Sequence, residues 1–192
     1  MAALGPERIR APEPPKDLAG RKLPVGAVPQ EVWVRLYDRR FKEPLYWSRQ
    51  GRYRFDSPAA PFGVCYLARD LAAAFLEVFG DKLRRSRRLA LAAAKRYDVF
   101  TVKVPANLKV LELEGSNLAK IGATLGCFSG SYPLSQRWGA AIMQHPAGIA
   151  GLVYIGRRSG ARCLALFDGR RVAKTPQAAL AVSRSGRLDD AI

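Results

Sequence analysis

The sequence predicts an α+β domain with a mixed central β-sheet and flanking helices. Three observations predict it. Short segments rich in β-branched and aromatic residues alternate apolar with polar positions, among them "QEVWVRLYD" (30–38) and "YDVFTVKVP" (97–105). One long run, "LAAAFLEVFGDKLRR" (71–85), has helical periodicity instead. The order strand, loop, strand, helix, two strands, helix, strands lacks the regular alternation of a doubly wound parallel sheet. With 192 residues, 48% of them hydrophobic, the chain suits one domain with a sizeable core.

Residues 1–28 are broken by prolines and lack the apolar centre of a secretory signal, so a flexible N-terminal arm is expected. The first strand, 30–38, is followed by "RRFKEPLYWSRQGRYRFDSPAAPFG" (39–63), a long loop of the kind that often carries function. "VCYLA" (64–68) is a short buried strand, and Asp70 is placed to cap the helix that begins at Leu71. "LRRSRRLALAAAKR" extends that helix or starts another. The strands 97–105 and "LKVLELEG" (108–115) come next, then a short helix at "NLAKIGA". A Gly/Ser-rich loop enters a helix near Ser135, and "AGLVYIG" and "RCLALFDG" supply two more strands. The domain is bounded at 29–173, with a partly ordered polar tail over 174–192.

Composition narrows the function. A formal net charge of +16 implies an anionic partner, either nucleic acid, an acidic protein or a phosphate-bearing small molecule. "DKLRRSRRLALAAAKR" (81–96) concentrates that charge; it reads as a solvated helix face or as a nucleic-acid patch. No run reaches the roughly 18 apolar residues of a membrane span. Cys65, Cys127 and Cys163 are odd in number and lack CxxC spacing, which fits buried thiols and argues against a disulfide framework or zinc site. His145 is the single histidine, so His-rich metal sites are excluded and no metal is expected. "GATLG" and "GCFSGS" match neither dinucleotide-binding nor P-loop spacing.

Glu77 interrupts the apolar helix off the centre of its buried face, so periodicity alone turns it towards solvent. The run Ala72, Ala73, Ala74 makes its flank small enough for a loop or ligand to approach. Strand alternation puts Arg35 on the face of Trp33 and Tyr37, where it is either a stacked structural arginine or a bidentate phosphate clamp. Arg52 and Arg54 alternate with Tyr53 and Phe55 in "GRYRFD".

"EVWVRLYD", "GRYRFD", "FGVCYLARDLAAAFLEVFG", "SQRWGAAI", "AGLVYIGRR" and "RCLALFD" resemble, in order and spacing over roughly residues 30–168, the RES-domain family, named for a recurring Arg, Glu and Ser. The resemblance implies a fold like that of ADP-ribosyltransferases. It also implies a toxin that breaks the nicotinamide–ribose bond of NAD, with NAD as substrate and no cofactor; the lack of a secretory signal adds the expectation of a cytoplasmic protein. The implied partner is an antitoxin with an Xre-like helix-turn-helix domain that occludes the site. Residue by residue, Arg35 and Glu77 match the family's Arg and Glu as catalytic residues. Arg54 matches the Arg of "RFD", and Tyr66 the Tyr of "YLA". Arg157 joins Arg35 and Arg54 as a candidate for the pyrophosphate, and Tyr66 or Tyr46 would pack on nicotinamide. The alanine flank then reads as clearance for a ribose. Where the family has Tyr-x-Ser-Arg, this chain reads Tyr154-Ile155-Gly156-Arg157, so Gly156 occupies the serine's place and Ser159 could offer the hydroxyl from a shifted turn. That departure, with the charge, motivates a second reading: a RES fold without catalysis that binds nucleic acid or a partner through its basic surface. ADP-ribosylation of a macromolecule is a third. A homodimer is compatible with each.

Overall fold

The structure, a computed structural model, describes residues 10–41, 43–57, 59, 62–168 and 180–191. Among these residues eight strands form one sheet: β1 (Val25–Gly26), β2 (Val32–Asp38), β3 (Gly63–Ala68), β4 (Tyr97–Lys103), β5 (Val110–Glu112), β6 (Gly151–Ile155), β7 (Arg162–Asp168) and β8 (Ala181–Arg187). Their order is β1-β5-β6-β7-β3-β2-β4-β8, with β5–β6 the parallel pair and every other pair antiparallel. The helices are α1 (Leu71–Ser86), α2 (Leu91–Ala94), α3 (Ser116–Ile121), α4 (Gly126–Ser129) and α5 (Tyr132–Met143). The expected α+β class with a mixed sheet is what forms.

The sheet has a seam. β2 pairs with β4 over seven residues and β3 with β7 over six, yet β2 meets β3 through the single pair Val34–Ala68. Beyond that pair the strands diverge, leaving two ladders, β1-β5-β6-β7-β3 and β2-β4-β8. β7 is the best-buried strand, with Cys163 to Phe167 all inaccessible. Its near-continuous apolar sequence reflects burial on both faces. Cys163, Ala165 and Phe167 pack into one core with Leu36, Phe55, Trp138, Ile142 and Tyr154. Leu164 and Leu166 pack into the other with Trp33, Cys65, Leu67 and Val102.

α1 starts where Asp70 accepts the backbone N–H of Ala73 at 2.8 Å. It ends at Arg87, whose φ of 51° is left-handed and whose N–H closes on the Leu83 carbonyl. Ala73 and Ala74 are buried in the first core, so the small side chains let the helix sit close to the sheet. The alanine flank expected to clear a ribose is, at these two positions, core packing; Ala72 remains exposed.

The arm expected to be loose over 1–28 is anchored at several of its described residues, with others exposed between them. Leu18, Leu23 and Val28 are buried. Trp138 Nε1 donates to the Pro12 carbonyl at 2.9 Å, and Arg137 donates twice to the Glu13 carboxylate. His145 lies just beyond α5 as a buried tether: Nδ1 accepts from Ala147 N, so the proton on Nε2 points at the Arg21 carbonyl, 3.1 Å away. The prolines preset extended backbone and reduce the entropy lost when the segment docks. Residues 1–9 lie outside the described residues. In the expected tail, residues 181–187 form edge strand β8 on β4 and Leu188 is fully buried. All three cysteines are free and buried.

Candidate active site

α1 carries Glu77 to the turn joining β6 to β7. That turn closes when Gly156 N donates to the Ala161 carbonyl and Gly160 N to the Gly156 carbonyl, both at 2.8 Å. Gly160 takes a φ of +66°, a conformation that favours glycine. The turn points three donors at one carboxylate oxygen. Glu77 Oε1 accepts from Ser159 Oγ at 2.8 Å, Ser159 N at 2.9 Å and Arg158 N at 3.1 Å. Among the described residues Oε2 has only the Arg158 guanidinium at 3.8 Å, which is itself held by Asp81 at 2.5 Å. The ion pair with Asp81 raises the Arg158 pKa. Glu77 is thus half-buried, with one oxygen saturated and the other nearly free.

Gly156 is buried against this carboxylate. A Cβ there would collide with Glu77 Oε1 and stand 2.6 Å from Ser159 Oγ and 2.9 Å from Cys163 Sγ. Burial pushes the Cys163 thiol up to about 12, with the Glu77 charge adding to it, so this sulfur stays protonated and is no nucleophile.

Arg54 enters from the loop before β3. Its side chain is buried, donating Nη1 to the Phe128 carbonyl and, at 3.4 Å, to Ser135 Oγ, with the guanidinium 5.0 Å from the Tyr132 ring centre. Among the described residues no carboxylate pairs with it. Burial draws its pKa down, against the pull of Tyr132, Tyr154 and Glu77. A buried cation without a counter-ion is costly, and an anionic ligand would relieve the cost.

Tyr66 fixes that loop. Its hydroxyl accepts from Phe55 N and donates to Asp56 Oδ1, both at 2.9 Å. Asp56 Oδ2 takes Ser48 Oγ and the N–H groups of Arg52 and Tyr53. Gln136 on α5 binds the Gly51 and Tyr53 carbonyls from the other side. Burial, and Asp56 after it, holds the Tyr66 hydroxyl well above its ordinary pKa.

Arg35 lies at the seam. Nη1 donates to the Tyr66 carbonyl at 2.7 Å and to Cys65 Sγ at 3.3 Å, Nη2 reaches the Tyr46 carbonyl, and Nε is buried without a partner. Tyr46 keeps its ring outward, stacked on Phe41 at 6.3 Å. The structure therefore brings Glu77, Gly156 and Ser159 into direct contact and sets Arg54 within electrostatic reach. Arg35 and Tyr46 form a separate group with no hydrogen bond to Glu77, joined to the loop of Arg54 through Tyr66. Arg157 is exposed and lines a groove of about 770 Å³ with Asp81, Arg84, Arg87 and Arg158. Sequence reasoning missed Arg158, Ser135 and Tyr132; only the "SQRW" block and the doubled arginine of "GRRSG" hinted at them. Among the described residues no cluster of three or more His, Cys, Asp or Glu could hold a metal ion.

The family model for the RES domain matches residues 29–188. The chain belongs to the RES-domain family. The match runs past the boundary expected at 173, as does the sheet, whose last strand ends at Arg187. None of the curated proteins matches. Among solved structures, this RES domain is similar to a chain of the M. tuberculosis MbcT–MbcA toxin–antitoxin complex, with a TM-score of 0.63 and 16% identity over 84% of this chain and 87% of that one. At that identity the likeness concerns the fold.

Proposed function

We propose that this RES-domain protein is a toxin that depletes NAD by hydrolysing its nicotinamide–ribose bond. The observation that carries the reading is a set of unmatched opposites in one region: a carboxylate with one oxygen left open, and a buried arginine that feels its charge yet has no counter-ion among the described residues. When the C1′–N bond breaks, its electron pair leaves with nicotinamide, which becomes neutral and needs no strong acid to depart. The ribosyl cation left behind is stabilised by Glu77 through Oε2. Water then adds at C1′, releases a proton and yields ADP-ribose. Arg54 and Arg157 would hold the pyrophosphate, and Arg35 would organise the seam beside Tyr66. Replacing water by a side chain or nucleotide hydroxyl turns the same site into an ADP-ribosyltransferase.

Similarity to a chain from a toxin–antitoxin complex supports a cognate antitoxin as partner, for which an Xre-like helix-turn-helix protein is the expected type. Among the described residues no helix is long and apolar enough to cross a membrane. The purified protein incubated with NAD should release free nicotinamide, and Glu77→Ala should abolish the release. No release by the wild type, or equal release by Glu77→Ala, overturns the catalytic reading.

The basic groove favours a second reading, nucleic-acid binding. Arg84, Arg87, Arg157 and Arg158 line it around a single lining carboxylate, Asp81, which Arg158 holds. Retention of a labelled oligonucleotide that weakens steeply with salt would support it.

A further inference from the structure

We infer that Gly156 and Ser159 work as one unit that seats the Glu77 carboxylate: Ser159 supplies the hydroxyl, and the absent side chain at 156 makes the room. The role assigned to that carboxylate rests on the proposed NAD chemistry; its seating does not.

The direction of the Ser159 hydroxyl is fixed by its own turn. Ser159 Oγ accepts the N–H of Ala161 at 3.2 Å, which commits a lone pair to the turn and leaves the O–H to donate to Glu77 Oε1 at 2.8 Å. With the amides of Ser159 and Arg158, this saturates Oε1 and leaves Oε2 as the oxygen available to a ribose. The space used is the space a side chain at 156 would fill. A Cβ there would meet Oε1, the Ser159 hydroxyl and the sulfur of Cys163, and Cys163 lies on β7, where the ladder prevents retreat.

A serine at 156, where the resembled family carries one, and the Ser159 arrangement are therefore mutually exclusive. The glycine is the counterpart of the relocated hydroxyl. Ser159 is a positioning residue acting through Glu77. Loss of one charge-assisted hydrogen bond and a carboxylate shift of a fraction of an ångström correspond to about a tenfold to hundredfold loss of rate.

The test combines kinetics with a readout that needs no activity. In nicotinamide release, Ser159→Ala should lower kcat about tenfold or more with KM held within about twofold, and Ser159→Thr should restore most of it. Gly156→Ser should lose about a hundredfold although it installs the family serine. Removing the competing hydroxyl in that background, as Gly156→Ser with Ser159→Ala, should raise activity above the single variant. In ¹H–¹⁵N spectra the Arg158 and Ser159 amide protons should lie downfield, move upfield in Glu77→Ala and in the milder Gly156→Ala, and stay downfield in Ser159→Thr. Wild-type activity in Ser159→Ala or Gly156→Ser overturns the inference, as do amide shifts indifferent to Gly156→Ala. A wild type that releases no nicotinamide while its amides respond as stated overturns the NAD reading and supports the seating.

Discussion

The negative and the positive groups of this region are built on opposite terms. At the β6–β7 turn the negative group is supported: Glu77 has three donors on one oxygen and an arginine near the other. At the seam and in the loop before β3 the positive groups are not. Arg35 and Arg54 bind backbone carbonyls, a thiol and a hydroxyl, and no carboxylate among the described residues neutralises either. A protein optimised for stability alone would pair such cations or replace them with apolar residues. The difference teaches that the carboxylate is held in place by its neighbours, whereas the arginines keep charge to spare, as the proposed NAD chemistry requires.

Glu77→Gln breaks the first side most severely. It should lower nicotinamide release at least about a hundredfold with little change in melting temperature, because glutamine still accepts from Ser159. Arg54→Met attacks the second side. If Arg54 waits for an anion, KM for NAD should rise about tenfold while the melting temperature holds or increases. A fall of more than about 5 °C would instead mark it as a structural arginine. Tyr66→Phe strips a partner from Phe55 N and Asp56 Oδ1 and should cost about 1–3 kcal/mol in urea unfolding, loosening the loop that presents Arg54.

Asp38, at the end of β2, sharpens the comparison by showing carboxylate–arginine pairing in the β2-β4-β8 ladder. Burial alone would raise its pKa, but hydrogen bonds from Arg40 and Arg96 outweigh it and hold the carboxyl at about 2. A depressed folded pKa stabilises the fold above the unfolded value near 4, and that contribution fades as pH falls through about 2. Asp38→Asn should therefore cost up to about 2 kcal/mol at neutral pH. The gap from wild type should close in acid unfolding near pH 2. The smallest effect should come from Arg84→Ala with Arg87→Ala: nicotinamide release unchanged, and any oligonucleotide binding with a salt slope reduced by about two.

Much of the fold could be read from local signals. "RCLALFD" announced a strand, Asp70 announced the start of α1, and alternation put Arg35 beside Trp33 on the same side. β8 gave no such signal, since "AVSRSGR" is an exposed edge strand specified by pairing with β4 rather than by its own apolar pattern. The packed segment 10–28 was hidden because its partners, Trp138, Arg137 and His145, lie more than a hundred residues away. α5 begins at Tyr132, ahead of the expected Ser135, with Pro133 tolerated in its first turn. Helical periodicity placed Glu77 off the buried face, and it is half-buried only because a turn some eighty residues further on covers it. Gly156 looked like a loss, for a sequence carries no record of the space a missing side chain leaves.

The seam at Val34–Ala68 has a consequence for motion. The two ladders share one residue pair, so few backbone hydrogen bonds tie them and side-chain packing holds the rest; they are expected to open as separate cooperative units. Hydrogen exchange should report two sets of protection, with Ala68 and its neighbours following β7 rather than β2. Arg35 stands on one ladder and grips the Tyr66 carbonyl of the other, so a side chain spans the seam where the backbone pairing has stopped, and exchange at Ala68 should quicken in Arg35→Ala.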